Sequence, residues 1–71
     1  MGNSRLLEKL QITIGTTGKI SEDYGGYEII VIDAKKFPWK AVFEMLVDSG
    51  FQIWIDKTNS HIRIESKPEV N

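Results

Sequence analysis

His61 is the one histidine of the chain and, because there is no cysteine, the side chain best suited to proton transfer near neutral pH. A four-residue loop between two predicted strands would place it opposite Asp56, and a carboxylate orients an imidazole in many acid–base sites. The sequence supplies no accompanying nucleophile or group of metal-ligating residues. We therefore predict a surface contact between His61 and Asp56, with no catalytic residue, metal site or cofactor, and keep acid–base catalysis by this pair as the alternative.

An indole beside a guanidinium forms the second candidate site. The same loop length pairs Trp54 with Arg63 on the face of the sheet turned away from the main helix. Such a pair can stack on a nucleic-acid base or anchor a protein interface. It can also be a cross-strand cation–π contact that covers its own sheet. We favour this second interpretation, because the indole must pack on something and Ile30 and Ile32 are available, and keep the binding site as the alternative.

Three lysines and two aromatic residues surround the start of the main helix, in the segment Lys35-Lys36-Phe37-Pro38-Trp39-Lys40. Lys36, Trp39 and Lys40 are candidate binding residues, since helix N-termini attract phosphate and nearby lysines strengthen that attraction. The simpler interpretation makes Phe37 and Trp39 packing residues and leaves the lysines solvated, because cations at a helix N-terminus oppose its dipole. We favour the simpler interpretation.

Residue periodicity predicts the elements that position these side chains. Pro38 begins an amphipathic helix and Gly50 ends it. The run Tyr27 to Asp33 has four successive β-branched apolar residues, which is typical of a strand buried on both faces. The segment Gly15 to Lys19 lacks the spacing of a Walker loop and is predicted to be a turn. The remaining predicted elements are a short helix from Asn3 or Ser4 to Leu10, a hairpin formed by Leu10–Ile14 and Lys19–Ile20, a loop over Ser21–Gly26, strands Phe51–Asp56 and His61–Glu65 joined by the turn Lys57–Ser60, and a loose tail from Lys67.

These elements define a small single domain of the α+β class over residues 1–71, with loose termini at 1–3 and 67–71. A short N-terminal helix and a β-hairpin precede a β-α-β-β unit, and together they form a mixed sheet with one main helix on one face. The predicted core contact places the helix residues Trp39, Val42, Phe43 and Leu46 against the strand residues Ile53, Ile55, Ile62 and Ile64.

The strand Tyr27–Asp33 has apolar side chains on both of its faces. Ile30 and Ile32 point away from the face that the main helix covers. Either the N-terminal helix or a second copy of the chain must cover them, and a domain of 71 residues without disulfides gains much from a partner subunit.

Composition limits the classes of partner. The net charge of −1 argues against wholesale electrostatic capture of nucleic acid or an anionic membrane. The apolar runs are too short to span a bilayer, and the opening residues are too polar for a signal peptide. We therefore expect a cytoplasmic protein.

Residues 31–66 resemble two kinds of known protein. Leu46-x-x-x-Gly50-Phe51 followed by Asn59-Ser60-His61 is similar to the helix, strand and Gly-Ser-His turn of the HicA-type RNA-cleaving toxins, with Asn59 in place of the glycine. This resemblance implies a ribonuclease in which His61 is catalytic. Val31-Ile32-Asp33-Ala34 through Ile53-x-Ile55-Asp56 resembles the β-α-β-β modules at the N-termini of secretins and TonB-dependent receptors, which implies a protein docking unit.

Two functional hypotheses follow. The first is a non-enzymatic protein-interaction module, homodimeric, that binds through an open sheet face or edge. The second is a nucleic-acid-binding protein, in its HicA-like form a small ribonuclease. Its binding residues would be Lys36, Lys40, Trp54, Arg63 and His61.

Overall fold

The structure, a computed structural model, describes residues 2–58 and 60–69. Over these residues the elements are α1 (Gly2–Ile14), a 3₁₀ turn (Gly15–Thr17), β1 (Gly18–Asp23), β2 (Gly26–Val31), α2 (Trp39–Asp48), β3 (Phe51–Lys57) and β4 (Ile62–Pro68). The α+β class is confirmed. Gly2 and Asn3, expected in a loose terminus, belong to α1, and Lys67 and Pro68, expected in a loose tail, belong to β4. The predicted loose residues Met1, Val70 and Asn71, and Asn59 of the predicted turn, lie outside the described residues.

The four strands form one sheet in the order β1-β2-β4-β3, and every neighbouring pair is antiparallel. We expected a mixed sheet, because a helix connects β2 to β3. These two strands do point the same way, but β4 lies between them. The parallel pair is therefore never hydrogen-bonded, and β1 and β3 are the two edge strands.

Helix α1 extends four residues beyond the predicted end, and the predicted strand Leu10–Ile14 is wrong. The alternation of Leu10, Ile12 and Ile14 fits a strand, but Leu10 and Ile14 are also one helical turn apart. In the helix both are buried, while Ile12 between them is 82% exposed. Helical spacing therefore prevailed over alternation.

The actual first hairpin joins β1 to β2, and its turn is shorter than the predicted loop Ser21–Gly26. Tyr24 (φ 47°) and Gly25 (φ 82°) both adopt positive φ angles, the requirement of a two-residue turn that matches strand twist. The other four residues of the expected loop pair within the sheet. Gly26 must be glycine, because a Cβ there would collide with the carbonyl of Ser66 on β4.

Helix α2 confirms the periodicity argument. It begins after Pro38 and ends at Asp48, and Gly50 takes a φ of 83° directly before β3. Val42 and Leu46 are fully buried and Trp39 and Phe43 partly buried, as their spacing predicts.

Both helices cover the same face of the sheet. One core cluster contains residues of α1, of α2 and the segment before it, and of the inner face of the strands: Leu10, Ile14, Tyr27, Ile29, Val31, Phe37, Val42, Leu46 and Ile64. Ile30 is half-buried and Ile32 exposed on the opposite side. The N-terminal helix therefore does not cover the second face, which we call the open face.

The β3–β4 hairpin has the predicted faces but a different register. Trp54 lies opposite Glu65 and not opposite Arg63 as predicted. Asp56 lies opposite Arg63 and not opposite His61. Because β3 continues to Lys57 and β4 starts at Ile62, the connection lies one residue later than predicted. That displacement shifts each pair by two residues, and since side chains alternate with a period of two, each keeps its face.

Candidate interaction surface

Arg63 lies near the centre of the open face and is held by two carboxylates. Its Nη1 donates to Glu28 Oε2 on β2 at 3.2 Å, and its Nη2 donates to Asp56 Oδ2 on β3 at 3.1 Å. The predicted direct pairing with Trp54 is wrong, because the register sets Asp56 opposite the guanidinium. The positive charge of Arg63 is thus offset within the sheet, which weakens its case as a phosphate ligand.

His61 and Asp56 do not form the predicted cross-strand pair. His61 is exposed, its Nδ1 is 3.0 Å from Ser60 Oγ, and its carbonyl oxygen accepts hydrogen bonds from the N–H and Oγ1 of Thr58. An open pocket of about 210 Å³ adjoins it, lined by Val31, Ile32, Ala34, Lys57, Thr58, Ser60, His61 and Ile62. None of these residues is a carboxylate, so His61 has no acid–base partner among the lining residues in the described part of the chain.

The aromatic residues at the start of α2 are structural. Phe37 is buried in the core. Trp39 packs edge-on against it at 4.8 Å between ring centroids and donates from Nε1 to the carbonyl of Ala34 at 2.9 Å. Lys36 and Lys40 are exposed. These contacts agree with the packing interpretation that we favoured.

The described residues hold no group of three or more His, Cys, Asp or Glu side chains placed to bind a metal ion. Within the same ranges, neither helix is long and apolar enough to cross a membrane.

The edge strand β3 has backbone N–H and C=O groups that no neighbouring strand of the sheet pairs, as does the other edge strand, β1. Two backbone hydrogen bonds flank β3 and fix which of its residues bond to β4. Just before the strand, the carbonyl oxygen of Gly50 accepts from the N–H of Glu69, and just after it the N–H of Thr58 donates to the carbonyl oxygen of His61, both at 2.9 Å. Hydrogen-bonded pairs alternate along an antiparallel ladder, so the even-numbered residues of β3 bond to β4. The N–H and C=O groups of Phe51, Ile53, Ile55 and Lys57 consequently point outward.

Large apolar side chains lie on both sides of this edge. Trp54 on the open face is 50% exposed, and Ile55 on the helix side is 57% exposed. The sequence placed Ile55 in the core, but it stands near the end of an edge strand, just before Asp56 and Lys57. Its exposure follows from that position.

Val47 extends the apolar surface on the helix side. Successive helix residues are about 100° apart, so Met45 and Val47 flank the buried Leu46 on opposite sides. Met45 contacts Thr13 of α1, with 3.9 Å between Oγ1 and Sδ, so Val47 lies on the side of α2 away from α1. Since α1 packs over β1 and α2 over β3, that side lies towards β3. Val47 is 60% exposed.

We call this surface, made of Val47 and the outer side of Phe51–Lys57, the β3 edge. Its start is anchored in the core, because Phe51 packs against Tyr27 with 5.4 Å between ring centroids. Burial, and then the charge of Glu22, raise the pKa of Tyr27 above its ordinary value of 10.0. This end of the edge is therefore held by a ring that stays neutral at physiological pH.

The opposite edge strand, β1, has a different character. Lys19, Glu22 and Asp23 distribute charge along its length, a common protection against pairing with another chain. On β3 the charges are confined to the last two residues, Asp56 and Lys57. The two edges of the sheet are therefore not equivalent.

Comparison with protein-family models, with curated proteins and with solved structures found no match for this chain. The resemblances to the toxin family and to the docking modules gain no support from these comparisons.

Proposed function

We propose that this chain is a protein-interaction module that binds an extended strand of another polypeptide along the β3 edge. The observation that carries the proposal is the coincidence of outward-facing backbone groups with exposed apolar side chains on both faces of one strand. Added strands gain affinity from main-chain hydrogen bonds and specificity from alternate side chains. The β3 edge offers both.

The energetics favour this edge over the open face. A ligand on the open face would have to desolvate Arg63 with its two carboxylates, and burying an ion pair costs free energy that the mutual attraction often fails to offset. Along β3, a ligand strand would contact Trp54 on one side and Ile55 and Val47 on the other, all at least half exposed.

The nucleic-acid alternative has less support. Of its five residues, Arg63 is ion-paired with Glu28 and Asp56 and His61 has no carboxylate in its adjoining pocket. Binding to single-stranded RNA or DNA would have to rest on Lys36, Lys40 and Trp54. It would weaken steeply with added salt, because phosphate contacts release counterions.

A random linear peptide library displayed on phage tests the proposal. The selected peptides should alternate apolar and polar residues, and adding them should shift the amide NMR resonances of Ile53 and Ile55. Ile55→Lys should reduce their affinity at least about tenfold, because burial of an isoleucine contributes roughly 1.5–3 kcal/mol.

Ile32→Lys is the matched control, since Ile32 is 59% exposed but follows β2, which β4 separates from β3 and its outer edge. It should leave peptide affinity unchanged. Peptides that bind equally to both variants, or a protein that selects no peptide and instead binds single-stranded RNA with a steep salt dependence, would contradict the proposal.

A further inference from the structure

We infer that the strand received by the β3 edge is β3 of a second copy of this chain, paired antiparallel about a two-fold axis at Trp54. The inference rests on the proposed function and identifies the partner. The two sheets would join edge to edge into one continuous sheet, with each copy presenting the same strand to the other.

The hydrogen-bonding pattern determines the allowed registers. Only odd-numbered residues of β3 have outward-facing N–H and C=O groups, so an odd residue must meet an odd residue. Centring the pair on Trp54, the midpoint of Phe51–Lys57, sets Ile53 opposite Ile55 of the second copy and Phe51 opposite Lys57. Every outward-facing group of the strand then has a partner, whereas an axis at Ile53 or Ile55 leaves one end unpaired.

The side chains in this register are complementary. On the helix side, Ile53 and the exposed Ile55 pair with their counterparts next to Val47. On the open face the two Trp54 indoles meet at the axis, where a non-hydrogen-bonded antiparallel pair brings side chains closest. Aromatic cross-strand pairs of this kind stabilise a sheet.

The charges at the end of the strand also favour antiparallel pairing. In this register Asp56 lies opposite Gln52 of the second copy, whose side-chain amide can donate to the carboxylate. A parallel pairing in register would instead set Asp56 against Asp56 and Lys57 against Lys57, and like charges directly opposite destabilise a sheet. The chain is therefore compatible with its own copy in one orientation.

Single cysteines test the register, because the chain has no cysteine of its own. Trp54→Cys places two thiols at the axis, where a Cα separation of about 4.5 Å permits a disulfide. Under mild oxidation this variant should form a dimer that reduction dissolves. Gln52→Cys and Asp56→Cys are the controls, since each would be roughly 14 Å from its own copy, four residues along the strand.

Mixing the two controls keeps Trp54 intact and gives an independent result. Gln52→Cys and Asp56→Cys should each stay monomeric under oxidation, and their equimolar mixture should form the mixed disulfide dimer. Sedimentation equilibrium of the unmodified chain across the micromolar range should show reversible dimers, lost on Ile55→Lys and retained on Ile32→Lys.

Three outcomes would overturn the inference: equal crosslinking of all three single-cysteine variants, no crosslinking of Trp54→Cys or of the mixture, or a strict monomer at every concentration. If the selected peptides still bound at Ile53 and Ile55 in such a case, the edge would receive strands from other chains only. The proposed function would then survive while the self-pairing failed.

Discussion

Proline substitutions at two neighbouring positions of β3 should differ sharply in their effect on folding, because the amides of Ile55 and Asp56 point in opposite directions. The amide of Asp56 donates into the β3–β4 ladder opposite Arg63, while the amide of Ile55 faces outward. Proline has no N–H, so it removes a ladder hydrogen bond at position 56 and none at position 55.

The magnitudes follow from these positions. Asp56→Pro loses a net hydrogen bond of about 0.5–1.5 kcal/mol and leaves a strand carbonyl unsatisfied at a further 1–3 kcal/mol or so. It also removes an ion pair of about 0.2–1 kcal/mol. Ile55→Pro loses only part of a side chain that is 57% exposed, about 1 kcal/mol, and a less flexible unfolded chain offsets some of that loss. We expect Asp56→Pro to lower the free energy of unfolding by about 1–5 kcal/mol more than Ile55→Pro does.

Urea denaturation at low protein concentration measures both values on the monomer, with Asp56→Ala as the control for the lost carboxylate. The total stability of a chain of 71 residues is about 4–10 kcal/mol, so Asp56→Pro should be severely destabilised or unfolded. Equal losses for the two prolines, or a larger loss for Ile55→Pro, would refute the assignment of outward-facing amides on β3.

Three further predictions concern the core, the open face and the pH dependence. Leu46→Ala should lower the free energy of unfolding, measured by urea denaturation, by about 2–5 kcal/mol because Leu46 is fully buried. Val47→Ala should change it by less than about 0.5 kcal/mol. Similar losses for the two variants would contradict the assignment of Leu46 to the buried face of α2 and of Val47 to the exposed face. Arg63→Met should lower stability by up to about 1 kcal/mol, less at high salt. Glu28→Gln in the same chain should recover part of that loss, and strict additivity of the two changes would show that the residues are uncoupled. The pKa of Tyr27 is raised in the folded state. Its contribution to stability is therefore full at pH values below the pKa of the unfolded chain and is lost as the pH rises through the pKa of the folded chain. The free energy of unfolding should therefore decline above about pH 10, and Tyr27→Phe should make this decline smaller. An unchanged decline in that variant would contradict the burial of the hydroxyl.

Local patterns predicted the C-terminal half of the chain well. The 3.6-residue spacing of Val42 and Leu46, ended by Gly50, gave helix α2, and alternation gave the faces of β3 and β4. These patterns succeed because each one reports a single buried face.

The N-terminal half was harder because its pattern is ambiguous. Leu10 and Ile14 satisfy both a period of two and a helical period, and only packing against the sheet shows that Ile12 is exposed. The hairpin β1–β2 was missed because Tyr24 accepts a positive φ angle that is uncommon for a tyrosine.

The candidate surface was only partly predictable. Trp54 was placed correctly on the outer face of the sheet, but Arg63 was assigned as its partner because the hairpin loop was placed one residue early. The outward-facing amides of Ile53 and Ile55 depend on the strand order, which places β4 between β2 and β3. No single-sequence pattern contains that order.

Amide hydrogen exchange of β3, followed residue by residue by NMR at low and at high protein concentration, distinguishes a self-paired edge strand from an unpaired one. The amides of Gln52, Trp54 and Asp56 should be protected at both concentrations, since they bond to β4. Those of Ile53 and Ile55 should exchange rapidly in dilute protein and become protected as the concentration rises and the two β3 strands pair. Rapid exchange of Ile53 and Ile55 at every concentration, with the other three amides still protected, would contradict the self-paired edge.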